Sequence, residues 1–113
     1  MKSKLFLASI IALTFSTLSS AEVTQGPFYQ IGADLAHSCA GCHGLTGISP
    51  VESNPNLAGQ KQGYLEYALK AYRSGDRKGG MAMIMYPNAR GLSDDEIQAL
   101  ALYFSSQKSQ TGQ

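Results

Sequence analysis

Apolar residues recur at helical spacing in three stretches of the chain, and the first of these covers residues 28–39. Ile31 and Leu35 lie on one stripe of that stretch, and Phe28 extends it. The pair Gly26-Pro27 stands just ahead of it, as is common where a helix begins. The pattern therefore predicts a first helix over residues 28–39.

The other two stretches predict a second helix in the middle of the chain and a third near its end. The second runs from about Gln62 to Ser74, and Gly75 follows at the position where glycine commonly ends a helix. The third begins with the capping box Ser93-Asp94-Asp95-Glu96, behind which apolar residues continue at helical spacing. Since no stretch alternates in the manner of a strand, the sequence predicts an all-α fold.

The segments between the predicted helices are of two kinds. Residues 41–59 contain several glycines and prolines and little periodicity, which predicts a long loop. Residues 81–86 are apolar, hold three methionines and are followed by Pro87. We interpret this second segment as a methionine-bearing loop between the last two helices.

The first 21 residues have the layout of a secretory signal peptide. Lys2 and Lys4 precede an apolar run from Leu5 to Leu18, and small residues end the segment at Ala21. The run is shorter than the ~20 residues that a membrane span needs. We therefore expect residues 1–21 to be removed after export by the general secretion route, leaving residues 22–113 as one domain in the periplasm, without stable membrane insertion.

The charge of the expected mature domain is close to neutral. The full chain has nine basic and eight acidic residues, so loss of Lys2 and Lys4 leaves seven basic residues and a formal charge of −1. Such a balance favours neither nucleic acid nor an anionic membrane as a partner. A domain this small has a modest core, and a large cofactor would add to it.

The chemistry of the chain is concentrated at Cys39, Cys42 and His43. These are the only two cysteines, and with the histidine they form C-x-x-C-H, the attachment sequence of haem c. Two thiols at this spacing can bond the two vinyl groups of one porphyrin, and the adjacent imidazole can ligate its iron. The motif predicts one covalent haem c per chain, with His43 as an axial ligand.

Three other interpretations of the motif are weaker. A redox C-x-x-C needs no histidine and follows a strand in α/β proteins. A zinc site would need more ligands, and only His37 remains. A disulfide between Cys39 and Cys42 would close a very short loop. We expect His37 itself to face solvent or cap the first helix.

The second axial ligand is expected among Met81, Met83 and Met85. A thioether is a neutral ligand that raises the reduction potential of haem iron. Methionine also fills irregular cores, so the ones that do not ligate would pack around the haem. The residues alone leave the choice among the three open.

From about Gly32 onward the chain resembles the class I c-type cytochromes, especially the small bacterial monohaem proteins and single lobes of dihaem ones. The resemblance rests on the haem motif, Pro50 and the methionine segment, together with these stretches: Asn56-Leu57-Ala58-Gly59-Gln60, Tyr64-Leu65, Arg73-Ser74-Gly75, Leu92–Ile97 and Tyr103–Gln107. It implies the cytochrome c fold, with three main helices around one haem. It also implies that Gly32 and Tyr103 meet where the first and last helices cross.

The resemblance also assigns roles to individual residues. In this family the methionine ligand usually lies eight residues before the serine that starts the last helix, which implies Met85, with Met83 as runner-up. It further implies that the Pro50 carbonyl accepts a hydrogen bond from the outer ring nitrogen of His43. Tyr64 is expected either near a haem propionate or in the core.

With both axial positions filled, the expected function is that of a periplasmic one-electron carrier rather than an enzyme. Donor and acceptor proteins would dock at the exposed haem edge. An alternative is the cytochrome subunit of a flavin-dependent sulfide-oxidising complex, with a flavoprotein as partner. A haem sensor or peroxidase-like enzyme fits less well, because such proteins need an open iron site and the methionine segment is apolar.

Overall fold

A computed structural model describes residues 25–110, and within this range the chain is helical with no strand. The five helices are α1 (Pro27–Ala36), α2 (Ala40–His43), α3 (Gln62–Ser74), α4 (Ala82–Ala89) and α5 (Asp94–Ser105). The three predicted helices correspond to α1, α3 and α5. The predicted signal segment lies outside the described residues, and no described helix is long and apolar enough to cross a membrane.

Three of the predicted assignments are wrong. The long loop begins at residue 44 rather than at residue 41, because residues 41–43 belong to α2. The first helix ends at Ala36 rather than at Cys39, because the chain tightens there into turns such as Cys39 N to Ala36 O at 3.0 Å. The methionine segment is the helix α4 rather than a loop. Its residues are apolar on the face toward the protein and on the exposed face alike, so the sequence shows no stripe. Pro87 inside it also removes one helical donor.

The local signals at α3 and α5 are confirmed. α3 covers residues 62–74 as predicted, and Gly75 ends it in the left-handed conformation at φ 76°. At the start of α5 the Ser93 hydroxyl accepts from the Glu96 amide at 3.1 Å, while the Ser93 amide donates to the Glu96 carboxylate at 2.8 Å. Both ends of the capping box are therefore formed.

The core forms where α5 packs on α1 and α3. A Cβ on Gly32 would fall on the carbonyl of Ala99 and within 2.9 Å of the Tyr103 Cβ, so only glycine lets α1 and α5 cross this closely. The predicted meeting of Gly32 and Tyr103 is thus confirmed. The remaining buried side chains of this cluster are small or apolar, and they are Ala36, Leu65, Leu100, Ala101 and Phe104. One side of the cluster forms part of a cavity wall.

Candidate haem site

The residues of the C-x-x-C-H motif lie on α2, a single helical turn that joins the end of α1 to the following loop. Cys39 caps this turn and is half-buried, Cys42 is exposed, and His43 is only 7 % exposed. No disulfide joins Cys39 and Cys42 in this structure. Burial raises the pKa of the Cys39 thiol. All three side chains line the same cavity, so the motif presents two thiols and one imidazole to a shared space.

The ring of His43 is held by Pro55, not by Pro50. His43 Nδ1 lies 2.9 Å from the Pro55 carbonyl oxygen. Because a carbonyl can only accept, Nδ1 carries the proton and Nε2 keeps its lone pair. The prediction for Pro50 is wrong; that residue lies exposed at a bend.

The reason for this difference is the path of the loop after α2. Gly44 turns the chain at φ 76°, and the Gly47 carbonyl accepts from the amides of Leu57 and Ala58 at 2.7 and 3.1 Å. These bonds bring Pro55 back beside His43 and leave Pro50 on the outside. One signal for Pro55 was available, since it directly precedes the stretch Asn56–Gln60 that carries the resemblance.

The cavity beside α2 has a volume of about 640 Å³ and is lined by residues from α3, α4 and α5 as well. This is within the usual range of ~300–1,000 Å³ for small-molecule and cofactor sites. Most of its wall is apolar, and it includes the following residues: Val51, Leu57, Leu65, Ala68, Leu69, Ile84, Leu92, Leu100, Ala101 and Phe104. The site is therefore suited to a large, mostly apolar ligand.

The three methionines occupy different positions around this cavity. Met85 and Met81 line it, whereas Met83 does not and is 73 % exposed. Met83 precedes Met85 by two residues, so a rotation of about 200° around the helix axis separates the two side chains. Met85 is half-buried, while Met81 is 59 % exposed at the N-terminal end of α4. Geometry thus favours Met85, and it places Met81 ahead of Met83 as runner-up.

A polar group of residues lies at another part of the wall. Arg77 donates to the Tyr64 hydroxyl at 3.1 Å, and its guanidinium carbon lies 4.9 Å from the centre of the Tyr72 ring. The hydrogen bond to Tyr64 raises the pKa of Arg77, so the side chain stays charged. Lys78 lines the cavity as well. Tyr64 is 44 % exposed, which places it at the rim of the cavity rather than in the core.

These donors fit the predicted haem c. A haem has an apolar ring, two vinyl groups and two carboxylates, and the cavity wall offers apolar side chains, two thiols and two cations. His43 and Met85 supply an imidazole and a thioether, which are the axial ligands of His/Met haems. By contrast, the residues that the structure describes contain no cluster of three His, Cys, Asp or Glu side chains suited to a bare metal ion. His37 is exposed at the end of α1 and is not among the lining residues.

Comparisons with known proteins give a family match and a similar small protein. The family model described as Cytochrome c matches residues 29–108. Cytochrome c-554(548) of Halomonas halodenitrificans is 49% identical over 77 residues, which cover 68% of this chain and 93% of that protein.

Two longer relatives are named for sulfur enzymes. The thiosulfate dehydrogenase electron acceptor of Stutzerimonas stutzeri is 37% identical over 117 residues, covering 95% of this chain and 52% of that protein. The cytochrome subunit of sulfide dehydrogenase of Chlorobaculum tepidum is 36% identical over 75 residues, covering 66% of this chain and 64% of that protein. This chain therefore spans nearly all of one relative and about half to two thirds of the others.

Proposed function

Because the chain belongs to the cytochrome c family and is an electron carrier with covalently bound haem c, we propose which residues bind the haem and in which compartment the protein acts. Cys39 and Cys42 form the two thioether bonds, and His43 and Met85 are the axial ligands. Residues 1–21 are a signal peptide, and residues 22–113 act in the periplasm. The observation that carries the proposal is that one cavity is lined by both thiols, the His43 imidazole and Met85.

Each residue has a defined part in this scheme. Cys39 and Cys42 would each add a thiol across one vinyl group of the haem, with the thiol hydrogen going to carbon, so the attachment would need no oxidant. The Pro55 carbonyl keeps the proton of His43 on Nδ1 and leaves the Nε2 lone pair for iron. Haem c, when bound, supplies a one-electron iron couple. The neutral Met85 thioether favours the reduced form and so raises the potential.

With His43 and Met85 both bound to iron, the haem would have no free position for a substrate, and it would transfer electrons rather than carry out bond chemistry. Partners are proposed to dock at the rim of the cavity, where the described chain exposes Cys42, Val51, Met81 and Ile84. Because the expected mature charge is −1, association should depend only weakly on salt.

The ligand assignment is tested by the weak near-infrared sulfur-to-iron band of the ferric protein. Met85→Ala should abolish this band, while Met83→Leu, the matched control on the exposed side of α4, should keep it. The reduced wild type should also bind no carbon monoxide, since both axial positions are filled. A band that survives Met85→Ala would refute Met85, and a band lost in Met83→Leu would point to that residue instead.

The processing and the compartment are tested separately. Intact mass of the haem protein from a periplasmic extract should correspond to a chain that begins at Glu22 and carries one haem. A chain that keeps residues 1–21 in the membrane fraction would contradict both the cleavage and the periplasmic location.

A second candidate is a fixed subunit of a sulfide-oxidising flavoenzyme. It is supported by the relative named as the cytochrome subunit of sulfide dehydrogenase. Affinity purification of the tagged full chain from periplasmic extract at low salt distinguishes the two. A stoichiometric flavoprotein that reduces the haem with sulfide would favour the subunit, and purification as a free, reducible monohaem protein would favour the carrier.

A further inference from the structure

The carbonyl of Cys42 is the starting point for an inference about how His43 is oriented. α2 is a single turn, and the last carbonyls of a helix have no partner within it. The Cys42 carbonyl instead accepts two hydrogen bonds from the following loop, from Ser49 Oγ at 2.8 Å and from Asn54 Nδ2 at 3.0 Å. The loop is thereby tied to the haem-attachment turn.

Asn54 stands directly before Pro55, whose carbonyl holds His43. Two consecutive loop residues therefore contact two consecutive residues of the motif: Asn54 the backbone of Cys42, and Pro55 the ring of His43. We propose that Asn54 is a positioning residue for the axial histidine, acting by holding the Pro55 carbonyl against Nδ1. This inference rests on the proposed role of His43 as iron ligand.

The loop depends on such hydrogen bonds because its side chains add little to the core. Of residues 50–56, all but Asn54 are exposed. Other bonds close the loop at its ends: the Ser49 amide donates to Asn56 Oδ1 at 2.7 Å, and the Leu57 amide to the Gly47 carbonyl at 2.7 Å. Among residues 50–56, Asn54 is the one whose side chain connects the loop to α2.

The expected consequence is electronic as well as structural. A carbonyl that accepts from Nδ1 increases the basicity of the imidazole, and a more basic ligand stabilises ferric iron. If Asn54 is removed, Pro55 is held less firmly and the Nδ1 hydrogen bond weakens. The reduction potential should then rise, and the Nδ1 proton should exchange with solvent more quickly.

The experiment compares the haem-loaded wild type with Asn54→Ala and with Gln30→Ala as a matched control. Gln30 also uses its side-chain amide in one hydrogen bond, to Asp34 at 3.0 Å, but on the exposed face of α1. In Asn54→Ala we expect the equilibrium constant for reduction to rise by up to about tenfold, or about 59 mV for one electron. Exchange of the His43 Nδ1 proton, followed by NMR, should be about fivefold to tenfold faster. Gln30→Ala should change neither quantity.

Ser49→Ala provides a second variant in case Asn54→Ala folds poorly. It removes the other donor to the Cys42 carbonyl, but the Ser49 hydroxyl also lies 2.9 Å from the Val51 carbonyl, so its bond to Cys42 is shared. We expect a smaller shift in the same direction. Wild-type potential and exchange in both variants would overturn the inference, even if the variants were less stable.

The outcome is separable from that of the proposed function. A wild type without the sulfur-to-iron band would refute the proposed Met85 ligand, yet the comparison of variants would still report on His43. A wild type with the band, combined with variants that do not shift, would refute only the role of Asn54.

Discussion

The cavity wall that carries His43 is held to the rest of the protein by many hydrogen bonds, whereas the wall that carries Met85 is a short helix with fewer of them. On the His43 side, the loop of residues 44–58 is bonded to α2, to itself and to α5. On the Met85 side, the Tyr86 hydroxyl donates to the Arg77 carbonyl at 2.6 Å, and exposed methionines flank the site.

The glycines on the two sides differ in how closely other atoms surround them. A Cβ on Gly44 would fall on the Ile48 carbonyl, whereas one on Gly79 or Gly80 would meet nothing within 4 Å. The His43 side is therefore closely packed around its backbone, and the segment before α4 is open. This difference indicates that the His43 side chain is preorganised, and it leads us to expect that Met85 is the easier of the two proposed ligands to lose.

The largest expected effect comes from removing each of the two proposed ligands in turn. His43→Ala and Met85→Ala should both destabilise the haem protein, but His43→Ala more so. It also leaves the Pro55 carbonyl without its donor, at an added cost of about 1 kcal/mol or more. Denaturant unfolding of the ferric proteins measures the two losses. Met83→Ala should stay within about 0.5 kcal/mol of wild type as the exposed control. Equal losses for the two ligands would contradict the comparison.

A pair of glycine substitutions comes next. Gly44 has φ 76° and ψ 148°, a conformation used almost only by glycine, and Gly79 has φ 98° in open space. Gly44→Ala combines backbone strain with a collision and should cost about 3 kcal/mol, whereas Gly79→Ala should cost about 1 kcal/mol. Chemical denaturation gives both values. If Gly79→Ala proved as harmful as Gly44→Ala, the Met85 side would be more constrained than its contacts indicate.

A matched pair of tyrosines tests single hydrogen bonds. Tyr103 is 7% exposed and donates to the Leu45 carbonyl at 2.9 Å, while Tyr86 is half-buried. Tyr103→Phe should cost about 1.5 kcal/mol and Tyr86→Phe about 0.5 kcal/mol, because the Tyr103 side chain is the more deeply buried of the two. Thermal unfolding at neutral pH compares them, and the reverse order would count against the comparison.

We also expect the contribution of Tyr103 to stability to depend on alkaline pH. Burial raises its pKa in the folded protein. Its contribution to stability is therefore complete below the ordinary tyrosine pKa of about 10, and it is lost as the pH rises through the raised value. The difference in stability between wild type and Tyr103→Phe should therefore shrink as the pH rises from the ordinary tyrosine pKa through the raised one. A difference that stays constant with pH would rule out this coupling.

The smallest effect concerns the tie between α3 and the start of α5. Arg73 donates to Asp94 at 2.6 Å and to the Leu92 carbonyl at 2.9 Å, and the first of these bonds lowers the pKa of Asp94. The contribution of Asp94 is present above the unfolded carboxyl pKa of about 3.9 and is lost as the pH falls through the lower folded value. Asp94→Asn should flatten this acid dependence slightly, because the pair is exposed.

The sequence alone was sufficient to predict those features that depend on contacts between residues close together in the chain. The bounds of α3 depend on an apolar stripe and Gly75, and the start of α5 depends on Ser93 and Glu96, all within a few residues. The spacing of Cys39, Cys42 and His43 likewise predicts haem c without knowledge of the fold, and the family match agrees with it.

The tertiary structure decided what depends on how distant segments meet. Whether Pro50 or Pro55 contacts His43 depends on how the loop closes. A hydrogen bond between Gly47 and Leu57 closes it, and no periodic pattern in the sequence predicts that bond. The order of Met81 and Met83 behind Met85 depends on α4 being a helix, because helical geometry turns Met83 away from the cavity. Local patterns predict where a helix begins and ends, but the partner of a side chain is set by the packing of the whole chain.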